Sequence, residues 1–196
     1  MKRIHAMKVL KNANRPFTRA EAISWGVNGR MLTVLVKEKM ISKVAYGLYQ
    51  VDDTLIDTEY VLQQTCKKCI FSHESALYHL GYSDRTPERL SITVPQHYGI
   101  QEIEKRNVII RYVKPKCLEL GILEHESNQG NPIKIYNLER TICDIIRHES
   151  TMDQEVVNKA IRKYMKEHPN KLPLLLSYAK KLESKDKIMK KLEVLL

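Results

Sequence analysis

Long apolar runs are missing from this chain of 196 residues. None approaches the roughly 18 uninterrupted apolar residues that a membrane helix needs, and Met1 to Leu10 already mixes Lys2, Arg3, His5 and Lys8 among its apolar side chains. A soluble, unexported, cytoplasmic protein is expected. Cysteine is also scarce. Cys66, Cys69, Cys117 and Cys143 are too few and too unevenly spaced for a disulfide scaffold, and they suit a reducing compartment. There is no glycine-rich phosphate loop, no internal repeat and no low-complexity linker, and no cofactor is expected.

Acidic side chains are nearly absent from the start of the chain. Residues 1–50 carry 10 basic and 2 acidic side chains, net +8, whereas residues 51–150 carry 12 and 15, net −3, and residues 151–196 carry 11 and 6, net +5. A small basic module on a near-neutral body is the charge distribution of a nucleic-acid reader, because neutralising phosphates supplies most non-specific affinity. A lysine-rich solvated surface would produce a similar count.

Local signals divide the first module. Ile4, Met7, Val9 and Leu10 give one apolar helical face, and Asn12 to Pro16 ends it. Thr18 starts a second helix with Glu21 three residues on as its capping-box partner, and Phe17 is placed to staple onto Ala22 or Ile23. Gly26 closes that helix after Trp25, and Asn28 can cap a third with Met31, Leu32, Leu35 and Val36 as its buried stripe. Ile41 to Val44 and Leu48 to Val51 then read as strands around a glycine turn, Ala45-Tyr46-Gly47. Short helix, tight turn, longer helix and hairpin together predict a winged helix-turn-helix over residues 1–52.

Residues 53–196 predict a second, mixed α/β domain, so that the fold class is α+β. Thr54 to Lys68 and Ser72 to Leu80 read as helices; Leu90 to Val94, Val108 to Val113 and Ile133 to Tyr136 read as strands bounded by prolines and glycines. The last third is helical and bundle-like: Glu139 to Arg147, Gln154 to Glu167, Leu172 to Leu182 and Ile188 to Leu195 each repeat apolar residues at three or four.

In a helix-turn-helix the second helix enters the major groove, its N-terminal residues facing base edges. Here those are Asn28, Arg30 and Thr33, with Lys37 further along the same face, clear of Leu32, Leu35 and Val36. A guanidinium can hold guanine through two hydrogen bonds. Thr18 and Arg19, at the start of the preceding helix, would lie near a phosphate, and Lys43 and Tyr46 on the hairpin would reach backbone or minor groove. Lys159, Arg162, Lys163, Lys166, Lys180 and Lys181 offer a possible second basic surface for DNA, RNA or another anionic partner.

Several segments resemble the AbiEi family. They are Val44-Ala45-Tyr46-Gly47-Leu48-Tyr49, Ser72-His73-Glu74-Ser75-Ala76-Leu77 with Gly81, Ser91-Ile92-Thr93-Val94-Pro95, and Tyr136-Asn137-Leu138-Glu139-Arg140-Thr141-Ile142-Cys143-Asp144. They occur in the family's order and extend over most of the chain, and Met152 to Leu196 is similar to its closing helical region. Members are antitoxins of bacterial abortive-infection toxin–antitoxin systems directed against phage. The resemblance implies an N-terminal winged helix that represses its own operon at inverted repeats in the promoter, bound by two copies or a dimer. It further implies a C-terminal domain needed for antitoxicity. It also implies a nucleotidyltransferase-like toxin, countered in type IV systems without a stable complex.

Other chemistry is weighed on individual motifs. Ser72-His73-Glu74-Ser75 with His79 suggests a nucleophile and base, but Ser72 fits better as a helix cap with Glu74 in the first turn. Cys66-Lys67-Lys68-Cys69 has zinc spacing that His73 or His79 could complete, yet a second pair is missing. Asp52, Asp53, Asp57 and Glu59 read as a solvated segment rather than a metal site. The alternative from another class is a metal-dependent nucleic-acid-processing enzyme using Glu139, Asp144 and Glu149, with Arg140 and Arg147 beside them. A protein-interaction adaptor is the third reading.

Overall fold

The structure, a computed structural model, describes residues 3–52, 55–99 and 108–195. The fold is mixed α+β, and the chain forms two compact units: Met1–Lys67 with Glu126–Ile133, and Lys68–His125 with Lys134–Leu196. Asp53 and Thr54 lie outside the described residues.

The first unit begins with α1 (Arg3–Asn12), β1 (Phe17–Thr18), α2 (Arg19–Ser24) and α3 (Gly29–Lys37), followed by β2 (Ile41–Ala45), β3 (Leu48–Val51) and α4 (Thr58–Thr65). The starts of α2, α3 and α4 have local causes. The Thr18 hydroxyl accepts from the Glu21 amide at 3.1 Å while the Glu21 carboxylate accepts from the Thr18 amide at 2.7 Å, a complete capping box. Asn28 accepts from the Met31 amide at 2.9 Å to begin α3. Between the two helices Gly26, at φ +87°, takes the left-handed turn that lets the Val27 amide return to Ala22 O at 2.8 Å.

The three strands form an antiparallel sheet in the order β1-β3-β2, with Phe17 opposite Tyr49 and Ile41 opposite Val51. Phe17, expected to pack on Ala22 or Ile23, is buried with Ala22, Leu32, Leu35, Ile41 and Val51, whereas Ile23 stays 51% exposed. Trp25 meets the Phe17 ring edge-on at 5.8 Å. The helix expected from Thr54 starts at Thr58, because Asp57 caps it through the Tyr60 amide at 3.0 Å.

The second unit is built on β4 (Ile70–Phe71), α5 (His73–His79), β5 (Leu90–Pro95), β6 (Val108–Val113), β7 (Ile122–Glu126) and β8 (Pro132–Tyr136), then α6 (Leu138–Arg147), α7 (Gln154–Glu167), α8 (Leu172–Lys181) and α9 (Lys185–Leu195). The sheet runs β6-β5-β4-β8-β7, with β4 antiparallel to β5 but parallel to β8, and β5 parallel to β6. The central strand β4 places Phe71 opposite both Ile92 and Ile135. α6 to α9 pack Ile142, Ile145, Ile146, Ile161, Tyr164, Leu175 and Ile188 into one apolar core with Leu77 of α5. No helix among the described residues is long and apolar enough to cross a membrane.

Candidate nucleic-acid interface

α3 separates its two faces as its spacing requires. Leu32 and Leu35 are buried, Met31 and Val36 pack partly against the same core, and Arg30, Thr33 and Lys37 are exposed on the opposite side. Thr33 donates its hydroxyl proton to Gly29 O at 3.1 Å, which leaves its exposed oxygen able to accept from a partner. Asn28 is exposed, but its side-chain oxygen is used in capping.

The remaining N-terminal residues singled out in the sequence fall into two groups. Thr18 is half-buried and its hydroxyl is engaged with Glu21 as donor and acceptor, which makes it part of the scaffold. Arg19, Lys43 and Tyr46 are exposed, Tyr46 by 93% at the turn of the β2–β3 hairpin, with the Lys43 ammonium 5.3 Å from its ring. Gly47, at φ +70°, closes that turn, and its carbonyl accepts from the Arg19 amide at 3.3 Å.

The positive charge of this face is left uncompensated within the unit's first fifty residues. Only Glu21 and Glu38 are acidic there, and both are occupied. Glu21 pairs with Arg15 at 2.6 Å, which together with its amide contact holds its carboxyl below the usual carboxylate range against the opposing effect of burial. Glu38 pairs with Arg3 at 2.7 Å. Among the described residues Arg19, Arg30 and Lys37 have no ion-pair partner. Arg15 also donates to the Tyr60 hydroxyl at 2.8 Å and so ties α2 to α4 instead of facing outward.

The second basic surface is only partly available. Lys159 pairs with Asp84 at 2.5 Å, and Lys163 donates to Gly81 O at 2.8 Å while lying 4.7 Å from the Tyr82 ring. Arg162 and Lys166 on α7 and Lys180 and Lys181 on α8 are exposed. Lys181 also borders an open groove of about 430 Å³ with Lys116, Cys117, Glu119 and Leu120.

The carboxylates considered for metal chemistry do not gather. Asp144 is buried between Arg140 at 2.8 Å and Arg147 at 3.1 Å, Glu139 lies 3.5 Å from Lys171, and Glu149 is held by Lys191 at 2.8 Å and Lys187 at 3.6 Å. Among the described residues no group of three or more His, Cys, Asp or Glu side chains could hold a metal ion. Cys66 and Cys69 are buried, Cys66 as the C-cap of α4 and not inside the helix. Asp57 caps α4 and accepts from Ser127 and Asn131, and Asp52 accepts from the Ser42 hydroxyl.

Ser72 occupies the N-cap position of α5, but its hydroxyl does not cap the helix. It instead lies 2.9 Å from His73 Nδ1 and accepts from the Thr93 hydroxyl at 2.9 Å, inside a buried polar network that continues from His73 to the half-buried His148. His79 stands apart with the rings of Phe71, Tyr78 and His125. No motif or spacing marks His148 as part of this network.

No family model matches the chain, and no curated protein matches it. Among solved structures, the crystal structure of the RV2827C protein from Mycobacterium tuberculosis is similar at a TM-score of 0.52 and 12% identity, over 96% of this chain and 79% of that one. At that identity the likeness concerns the fold alone.

Proposed function

We propose that the chain is a DNA-binding autorepressor and antitoxin of a bacterial two-gene phage-defence operon, acting in the cytoplasm. In this reading the first unit is a winged helix-turn-helix: α2 and α3 form the helix pair, α3 enters the major groove, and the β2–β3 hairpin is the wing. One observation carries it. α3 turns Arg30, Thr33 and Lys37 outward while Leu32 and Leu35 hold it to the core, and a hairpin tipped by Tyr46 follows directly. The occupied state of Glu21 and Glu38 supports it further, since an uncompensated cationic face favours polyphosphate.

Two copies would meet an inverted repeat in the promoter, one α3 to each half-site. The antitoxin part rests on the resemblance of the motifs quoted above to the AbiEi family, with a nucleotidyltransferase-like toxin countered without a stable complex. Glu139, Asp144 and Glu149, the carboxylates named for the enzymatic alternative, pair with separate cations and do not gather.

The test is footprinting of the full chain on its own upstream region, comparing Arg30→Ala with Lys187→Ala in the second unit. Arg30→Ala is expected to abolish protection of the specific site, and Lys187→Ala at most to weaken binding generally. Loss of protection with neither variant, or no protected site with the parent protein, would reject the promoter-reading role.

A further inference from the structure

Glycine at position 29 is not required by the backbone. Gly29 opens α3 outside the left-handed region, where any residue could stand and where alanine would favour the helix more. Space accounts for it instead. A Cβ on Gly29 would lie 2.4 Å from Arg19 Nη2 and 3.0 Å from both its Cζ and its Nε, so the guanidinium lies against the bare backbone.

Arg19 is fixed at its other end as well. It is the first residue of α2, inside the Thr18–Glu21 capping box, and its amide donates to Gly47 O in the hairpin turn. Its guanidinium is exposed and has no ion pair or hydrogen bond among the described residues. The nearest acid in sequence, Glu21, is taken by Arg15 and the cap. An arginine held by packing alone, with its donors unspent, is arranged for a ligand that brings the acceptors.

We propose that Gly29 is a positioning residue: by carrying no side chain it seats the Arg19 guanidinium at the start of α3, where it grips a backbone phosphate of the DNA that Arg30 reads. This rests on the DNA-binding reading. Arg19 would set the depth and register of α3 without reading a base.

The experiment measures binding of the full-length protein to a duplex of its own upstream region across a salt series, for the parent, R19A, G29A and the double variant, with thermal melting alongside. Because the atoms that a new Cβ would meet are the far end of a long side chain that can turn out to solvent, G29A is expected to melt no lower than the parent. Its affinity is expected to fall to the level of R19A, with a salt dependence shallower by about 1 in the log–log slope. The double variant is expected to bind no more weakly than R19A alone. Parent-like binding by G29A, a further loss in the double variant equal to that of G29A alone, or a G29A melting point well below the parent's would each overturn the inference while leaving DNA binding intact. A parent protein that does not bind the duplex would overturn the DNA-binding reading itself, and the inference with it.

Discussion

His73 Nε2 lies 3.0 Å from His148 Nδ1, and that one distance fixes how protons are placed in the buried network of the second unit. His148 Nδ1 is also 3.1 Å from the Asp144 carbonyl, which can only accept, so this nitrogen carries the proton. His73 Nε2 is therefore the lone-pair side, and His73 Nδ1–H donates to Ser72 Oγ at 2.9 Å. His73 holds this place at φ +49° with 1% exposure, a left-handed conformation that only surrounding structure would maintain in a non-glycine residue.

A second proton on His73 would point an N–H at the N–H of His148, so the network requires neutral histidine. Burial first, and then the charges of His148, Arg111 and Arg140 against the opposing Asp144, push the His73 pKa down from 6.5 to about 3. His148 is lowered as well, mainly by burial, with Arg147 and Arg111 adding to it. The unfolded chain then binds more protons than the folded one between those values, so stability is full above pH 6.5 and declines as pH falls toward 3. Denaturant unfolding across that window should show a slope of up to about 1.4 kcal/mol per pH unit for each such proton. His73→Asn, which tolerates the left-handed backbone, should flatten the slope; an unchanged slope would remove His73 from this role.

Gly121 is the second sensitive point. It stands at φ +79°, and a Cβ there would meet Arg140 Cβ at 2.8 Å and Asn137 Oδ1 at 2.9 Å, neither of which can swing away. Gly121 O also accepts the Asn137 amide at 2.7 Å, just where Asn137 caps α6. Gly121→Ala combines backbone strain with a clash in the core and should destabilise by about 3 kcal/mol or more. Arg140→Met tests the same locus from its partner: it removes donors to Cys117 O and Leu120 O and leaves buried Asp144 to Arg147 alone, for a loss of about 3–5 kcal/mol in chemical denaturation.

In the first unit Asp57 joins two distant stretches of chain. One carboxylate oxygen caps α4 through the Tyr60 amide, and the other accepts from the Ser127 hydroxyl at 2.5 Å and from Asn131 Nδ2 at 2.7 Å. Asp57→Ala should lower stability by about 2–3 kcal/mol, roughly 1 from the lost cap and the rest from stranded donors. Faster amide exchange at Gly130 and Asn131, whose amides bond within this loop, would report the release; exchange rates equal to the parent's would contradict it.

Where a pattern is local, the sequence carried it. The Thr18–Glu21 box, the Asn28 cap, the stripe of α3 and the spans of α6, α7 and α8 follow from spacings of three and four. Two-residue strands such as β1 and β4 are too short to show alternation, and β7 hides its pairing under exposed Leu123 and Glu124. The contacts that matter most at the site and in the networks are not local. Arg19 reaches Gly29 across a turn, Asp57 reaches Asn131 over 74 positions, and His73 reaches His148 over 75. Ser72 shows the same limit: its place at a helix start suggested a cap, but Thr93 on the neighbouring strand and the His73 ring compete for its hydroxyl and win.

The hairpin and α3 should fail differently on DNA. Lys43 and Tyr46 are exposed and contribute nothing to the core, so Lys43→Ala should change stability by no more than about 0.5 kcal/mol. A lysine facing phosphate carries no base information, and its loss should weaken binding about equally for the promoter site and for unrelated duplex, with the salt slope reduced by about 1. Arg30, whose guanidinium can pair with guanine, should instead lose about 1–3 kcal/mol of discrimination at one base pair and tolerate substitutions there that the parent rejects. Binding measured on a set of single-base operator variants separates the two. If Arg30→Ala weakened every duplex equally, α3 would be gripping backbone rather than reading sequence, and the assignment of α3 to the major groove would have to be abandoned.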